Sequence, residues 1–233
     1  SKFHHMFNKK INCPVVIRTP MGGRRGYGPT HSQTLDKFLI GIDNVKTVAL
    51  NTLVDPVLLY QSIYKEEHPV VVIENKVDYG KRMLSHKSRY FRYQYSDESY
   101  PVARISPAGR KATLTIVAYG GMADLANSLL EEIFRESDLV PELIVPSLIS
   151  SLPAKLVADA VQSSGKLVIL EEGSTTGGLG SEMIAQVMER VSIPVKVKRI
   201  GSLPVPIPSV KSLEHIVLPD KDRIISEIIE SFQ

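Results

Sequence analysis

Pro69-Val70-Val71-Val72-Ile73-Glu74-Asn75 is a short, unbroken apolar run closed by two polar residues. It is too short for a globular helix and lacks the alternation of a half-exposed strand, so it reads as a strand buried on both faces. Strands of that kind belong to parallel sheets covered by helices. Working outward, Pro14 to Arg18 and Val45 to Leu50 are further runs of the same type. A helix is expected from Asp55-Pro56, proline suiting a first helical position, with Val57, Leu58, Leu59, Ile63 and Tyr64 on its apolar face. Strand, helix and strand in this order imply crossover connections. Three strands are few for a doubly wound sheet, so this unit reads as incomplete at its front.

A second series begins at Lys111. Leu114 to Tyr119 is a strand, and Gly120-Gly121 turns into a helix with Met122, Leu125, Leu129, Ile133 and Phe134 at helical spacing. Leu143 to Val145 and Lys166 to Leu170 are strands, with a helix opened by Pro153 between them. A helix is expected after Gly180, and an edge strand at Val195 to Arg199, where Lys196 and Lys198 alternate with apolar residues. A last helix starts near Pro219-Asp220. The expected fold class is α/β with two parallel-sheet domains, one incomplete over residues 1–80 and one complete over 110–233. Residues 81–109 read as a linker, because Lys81, Arg82, Lys87, Arg89 and Arg92 mix with Tyr90, Tyr93, Tyr95 and Tyr100 without a clean period.

Composition narrows the function classes. The 233 residues carry a net charge of +3 and no long Lys/Arg run, which argues against a nucleic-acid partner even for the basic aromatic stretch. No apolar run approaches the roughly 20 residues that span a bilayer, so no membrane association is expected. The first residues, Ser1 to His5, show neither a signal core nor an initiator Met. Cys13, the single cysteine, excludes an intrachain disulfide and fits a reducing compartment, the cytoplasm or, in a eukaryote, the mitochondrial matrix. It reads as a small buried residue rather than a nucleophile. His4 and His5 have no third ligand at metal-binding spacing, so no metal site is expected on this chain.

The stretch with chemical content is Gly26-Tyr27-Gly28-Pro29-Thr30-His31-Ser32-Gln33. Thr30 and Gln33 have the spacing of a capping box, which predicts a helix running through Leu35, Phe38 and Leu39 with His31 in its first turn. A cation is disfavoured there, so a neutral imidazole able to give and take a proton is expected. A lone His on a glycine-rich turn is also, and most often, a surface or packing residue. Gly173-Ser174-Thr175-Thr176-Gly177-Gly178-Leu179-Gly180 stands between a strand and a helix, as phosphate loops do, but fits neither the dinucleotide nor the Walker pattern. A tight turn under close helix–sheet packing is the better reading. Glu171 and Glu172 precede it, and adjacent strand residues face opposite ways, so at most one of them enters any one site.

Over nearly its whole length the chain resembles the beta subunit of the thiamine-dependent 2-oxo acid dehydrogenases, the decarboxylating components of pyruvate, branched-chain 2-oxo acid and acetoin dehydrogenase complexes. Arg18-Thr19-Pro20, the Gly28-Pro29-Thr30-His31-Ser32-Gln33 run and Val71-Val72-Ile73-Glu74-Asn75 with Tyr79 carry the likeness. So do Thr115 to Gly120, Leu170-Glu171-Glu172-Gly173 with Gly177-Gly178-x-Gly180-x-Glu182, Val205-Pro206-Ile207-Pro208, and Leu213-Glu214 with Leu218-Pro219-Asp220. The resemblance implies part of a pyrimidine-binding domain followed by a transketolase C-terminal domain. It implies thiamine diphosphate between an alpha and a beta chain, with Mg2+ held mainly by the alpha chain. It implies as partners an alpha subunit, a second beta chain and a lipoyl acyltransferase core. His31 is the catalytic residue it assigns, acting in oxidative decarboxylation of a 2-oxo acid and acyl transfer to a lipoyl group; no cofactor-binding residue is assigned. Two departures stand out. The family's catalytic glutamate precedes the matched region, so the chain reads as a truncated piece, inactive in isolation. Ser147-Leu148-Ile149-Ser150-Ser151-Leu152 replaces an Arg-Thr-Leu-Arg-Pro-Leu segment of many relatives. The alternatives are a non-catalytic module that docks the alpha chain and acyltransferase core, and the C-terminal portion of a transketolase-type enzyme.

Overall fold

The β-branched run at Val70 behaves as its chemistry requires: all six residues of the strand it forms are buried in the computed structural model, which describes residues 2–83 and 88–233. Ser1 and Lys87 lie outside the described residues. The first unit comprises α1 (Phe3–Met6), β1 (Val16–Met21), α2 (Gly28–His31), a 3-10 turn (Asp36–Leu39), β2 (Lys46–Ala49), α3 (Pro56–Ile63) and β3 (Val70–Asn75). β3 is central, with β1 and β2 parallel on either side, and both Val16 and Lys46 stand opposite Val70. The crossover helix α3 starts where Pro56 predicts, and Asp55 caps it by accepting the Val57 N–H at 2.9 Å. Replacing an N-cap carboxylate by alanine costs about 1 kcal/mol. Asp55→Ala is therefore expected to lower the urea midpoint by that equivalent with an unchanged slope.

The second unit holds β4 (Phe91–Tyr95), β5 (Val102–Pro107), β6 (Leu114–Ala118), α4 (Gly121–Glu136), β7 (Pro141–Pro146), α5 (Ala154–Ser164), β8 (Lys166–Ser174), α6 (Leu179–Met188), β9 (Lys196–Ser202), α7 (Lys211–Val217) and α8 (Lys221–Phe232). Its strand order is β4-β5-β7-β6-β8-β9. Strands β7, β6, β8 and β9 are parallel as expected, while β4 and β5 run antiparallel and extend the sheet beyond β7. The stretch read as a linker is thus corrected in part: from Phe91 to Pro107 it is a hairpin belonging to this sheet. Phe91, Ala103 and Ile105 go into the core while Arg92 and Gln94 face away from it, which is the ordinary division of a half-covered edge.

One hydrophobic core runs through both units, with Val48, Leu59 and Val72 of the first in the same cluster as Ile116, Leu129 and Leu143 of the second. The β2 edge is closed by residues 147–150. Ala49 N–H donates to Ser147 O at 2.8 Å, Ile149 N–H to Thr47 O at 2.9 Å, and Thr47 N–H to Ser150 Oγ at 3.0 Å. Ser147 Oγ donates to Pro101 O at 2.7 Å, so both hydroxyls serve local backbone. Among the described residues no strand pairs with the other edge, β1, and Val15 and Ile17 are exposed. Cys13 is half-buried rather than buried, its N–H donating to Glu67 O at 3.0 Å. No helix among the described residues is long and apolar enough to cross a membrane.

Candidate functional site

In parallel α/β sheets, chemistry gathers outside the carboxyl ends of the strands. Here β1 ends at Met21, β3 at Asn75 and β8 at Ser174, and residues 22–40, on the way from β1 to β2, touch the ends of β3 and β8. The chain leaves β1 through Gly22, which adopts φ +95° in a space where a Cβ would stand 2.7 Å from Asn75 Nδ2 and 2.8 Å from Glu172 Oε2. Only glycine combines that backbone with that approach. The loop is then pinned from below by Glu214 of α7, whose buried carboxylate accepts the Arg24 N–H at 2.8 Å and the Gly26 N–H at 3.0 Å. Gly22 N–H closes the loop by donating to Gln33 O at 3.2 Å.

His31 sits on this loop, but not in the setting its sequence predicts. α2 has only four residues, starts after Tyr27 and ends with His31, and no side chain caps it. The predicted capping box is absent: Pro29 takes the first turn, and Gln33 Nε2 donates back to Pro29 O instead of meeting the Thr30 N–H. His31 is therefore in the last turn of a short helix and not in the first turn of a long one. Its imidazole is exposed and has no hydrogen-bond partner among the described residues, while its carbonyl accepts from Lys76 Nζ at 2.6 Å. The ring is free to meet a ligand, and the backbone that carries it is held.

Beneath the loop lies a group of buried carboxylates that the sequence does not announce as one site. The expected long helix is replaced by the 3-10 turn, which drives Asp36 inward to accept a hydrogen bond from the buried Tyr119 hydroxyl. Glu172 faces Thr34 Oγ1 and Asn75 Nδ2, each at 2.9 Å, with Arg24 Nε at 3.8 Å. Glu171 faces the other way, as strand geometry demands, toward Gly178 and Gly180. Burial pushes Glu171 up to about 7, against the Gly180 N–H that partly opposes it; burial likewise raises Asp36 and Glu172. On β3, in the other sheet, Glu74 behaves differently. Burial pushes it up, but Arg18 Nε at 2.6 Å, Tyr79 OH at 2.6 Å and Tyr60 OH at 2.7 Å outweigh this and hold it below the usual range.

The glycine-rich loop after β8 is settled by the first of these carboxylates. A Cβ on Gly178 would stand 2.2 Å from Glu171 Oε2, and one on Gly180 would stand 2.6 Å from Oε1. The space under the α6 N-terminus is filled by an acid, which leaves no room or charge for a phosphate. Among the described residues, then, this loop does not fit a diphosphate. A cleft of about 600 Å³ lies beside it, bordered by Lys37, Ser150, Ser151, Gly177 and Ser181, but Lys37 Nζ is already spent on Ser174 Oγ and Thr176 O, both at 2.8 Å.

Known proteins share this architecture. The family described as "Transketolase, C-terminal domain" matches residues 103–224. The pyruvate dehydrogenase E1 component subunit beta of Rickettsia bellii (strain RML369-C) is 25% identical over 232 residues, 98% of this chain and 68% of that protein. The mitochondrial subunit beta-1 of Arabidopsis thaliana is 27% identical over 233 residues, 97% of this chain and 61% of that protein. The mitochondrial subunit beta of Saccharomyces cerevisiae (strain ATCC 204508 / S288c) is 26% identical over 238 residues, 99% and 62%. The chain thus spans 61–68% of the length of these relatives. A solved structure titled "Split gene transketolase, inactive beta4 tetramer" superposes with a TM-score of 0.65 at 16% identity, covering 100% of this chain and 73% of that one, which is a likeness of fold.

Proposed function

We propose, starting from the fact that this chain belongs to the family of the transketolase C-terminal domain, that it is the beta-chain portion of a thiamine diphosphate-dependent 2-oxo acid dehydrogenase in which His31 is the catalytic residue. The observation that carries the reading is the imidazole of His31: exposed, unpartnered among the described residues, and fixed on a pinned loop at the strands' carboxyl ends. A group so placed can donate to a substrate oxygen and take the proton back. Similarity to the E1 beta subunits supports the reaction class, oxidative decarboxylation with acyl transfer to a lipoyl group.

On this reading the cofactor and its Mg2+ are held mainly by an alpha chain, because the glycine-rich loop here is closed by Glu171. No catalytic step is assigned to the cofactor on this chain. Its own residues hold the His31 loop and present the proton-handling group to a site completed by other chains. The β1 edge, unpaired among the described residues, supports association with a further chain, a second beta chain or an alpha chain. The test is assembly with an alpha chain and a 2-oxo acid, followed by assay with ferricyanide and with free lipoamide as acceptors. Turnover requiring thiamine diphosphate, Mg2+ and both chains is expected. An assembled complex that turns over neither pyruvate, a branched-chain 2-oxo acid nor acetoin would leave the docking and transketolase-type readings.

A further inference from the structure

Glu172 sits under the neck of the loop that carries His31. It is buried, and the polar groups that meet its carboxylate among the described residues are donors. Oε2 accepts from Thr34 Oγ1 and from Asn75 Nδ2, each at 2.9 Å; Oε1 lies 3.8 Å from Arg24 Nε, and the Gly23 N–H faces the same carboxylate. The Asn75 amide is fixed in orientation, because its Oδ1 accepts the Val77 N–H at 3.1 Å. One acid therefore meets both limbs of the neck, residues 23–24 where the chain enters the loop and Thr34 where it leaves, past His31. The limbs have little slack there. A Cβ on Gly23 would stand 3.3 Å from Ser32 O, and one on Gly173 would stand 3.2 Å from Thr34 O.

The exit limb also carries a cost. Ser32, next to His31, is fully buried, and its hydroxyl has no partner among the described residues. A buried hydroxyl left unpaired opposes the conformation that buries it, so this limb needs an anchor that outweighs the loss. Glu214 holds the entry limb, at residues 24 and 26. Thr34 supplies the anchor on the other side. A carboxylate can accept from every donor around it, whereas an amide in its place sets a donor against donors.

We propose that Glu172 is a positioning residue for His31, clamping the exit limb of the loop through the Thr34 hydroxyl so that the imidazole is held in one place. The kinetic half of the test rests on the dehydrogenase reading, and the spectroscopic half does not. Because Glu172 is buried, the test leads with the half-buried end of the contact. In the complex assembled with an alpha chain, Thr34→Val is expected to lower kcat about tenfold with KM within about twofold, as displacement of a reacting group does. Thr34→Ser, which keeps the hydroxyl, is expected to retain most of the wild-type kcat. Glu172→Gln, checked for folding by its urea midpoint, is expected to lose at least as much as Thr34→Val. In the full chain labelled at histidine, the ring signal that His31→Ala removes is expected to shift in Thr34→Val and to stay in Thr34→Ser, while the other histidine signals stand still. A kcat within about twofold of wild type in Thr34→Val or in folded Glu172→Gln overturns the proposal. An equal loss in Thr34→Ser, or a loss with the His31 signal unmoved, overturns it too. A wild-type complex without turnover removes the dehydrogenase reading, and the ring signal then decides the clamp by itself: a shift confined to Thr34→Val supports it, and no shift overturns it.

Discussion

His31→Ala is expected to lower kcat for 2-oxo acid turnover in the assembled complex by about 100-fold, the low end of what a positioned proton carrier contributes. The same substitution is expected to leave stability within about 0.5 kcal/mol of wild type, as for surface positions without structural work. The second half of this expectation follows from geometry: the ring is exposed and makes no hydrogen bond among the described residues. The loop itself is anchored by backbone groups, through Glu214 and Lys76, and these survive truncation of the imidazole. A large kinetic loss with an unchanged urea midpoint would therefore place His31 in the chemistry. Activity within about twofold of wild type would return it to the class of ordinary surface histidines and remove the residue on which the enzymatic reading stands.

Much of the fold is legible because its central strands are apolar but for Thr115. Val70 to Ile73, Leu114 to Ala118 and Leu167 to Leu170 are buried throughout, and continuous β-branched runs have few other uses. Phe91 to Tyr95 is not legible for the opposite reason. Its alternation is carried by tyrosines, and a Tyr can bury its ring while its hydroxyl reaches a polar partner, as Tyr93 does with Asn127 at 3.0 Å. Periodicity in hydrophobicity then fades although periodicity in packing remains. α7 defeats pattern reading more thoroughly: Leu213 and Ile216 are exposed, whereas Glu214 is buried. A helix that turns its acid inward to hold backbone N–H groups carries the reverse of the usual amphipathic signal.

The site is legible in its residue and not in its setting. His31 stands out in the sequence, but the Thr30–Gln33 spacing points to a helix that starts too late, because Pro29 competes for the first turn. The consequence propagates: a helix through Leu39 would have distributed Leu35, Phe38 and Leu39 along one face, whereas the 3-10 turn leaves Phe38 exposed and sends Asp36 inward. Asp36 and Tyr119 meet across 83 residues of chain, and no local spacing encodes such a meeting. The opposition of Glu171 and Glu172, by contrast, needs only the two-residue period of a strand.

That opposition sets the pH behaviour. Glu171 Oε1 is buried without a hydrogen-bond partner among the described residues, and burial raises the group from its ordinary 4.5 to about 7. Asp36 from the 3-10 turn adds repulsion, while Lys37 and Arg199 act in the opposite sense. A carboxyl whose folded value lies above its unfolded value binds its proton more tightly when folded, so ionisation favours unfolding. Stability is therefore expected to fall as pH rises from about 4.5 to about 7 and to level off above. Glu74 and Glu227 are lowered and act below this window, with the opposite sign. Glu171→Gln cannot ionise, so relative to wild type it should gain about 2–3 kcal/mol between pH 5 and pH 8, at about 1.4 kcal/mol for each tenfold difference in proton affinity between the folded and unfolded chains. Taking the difference between the two proteins cancels the groups that do not interact with Glu171, and leaves Glu171 with its coupling to Asp36. Urea unfolding at pH 5, 6, 7 and 8 reads it directly. A difference that stays constant across these values would mean that Glu171 is ionised over the whole range, and the acid-filled space beneath the α6 N-terminus would have to contain a cation or hydrogen-bond donor that balances it.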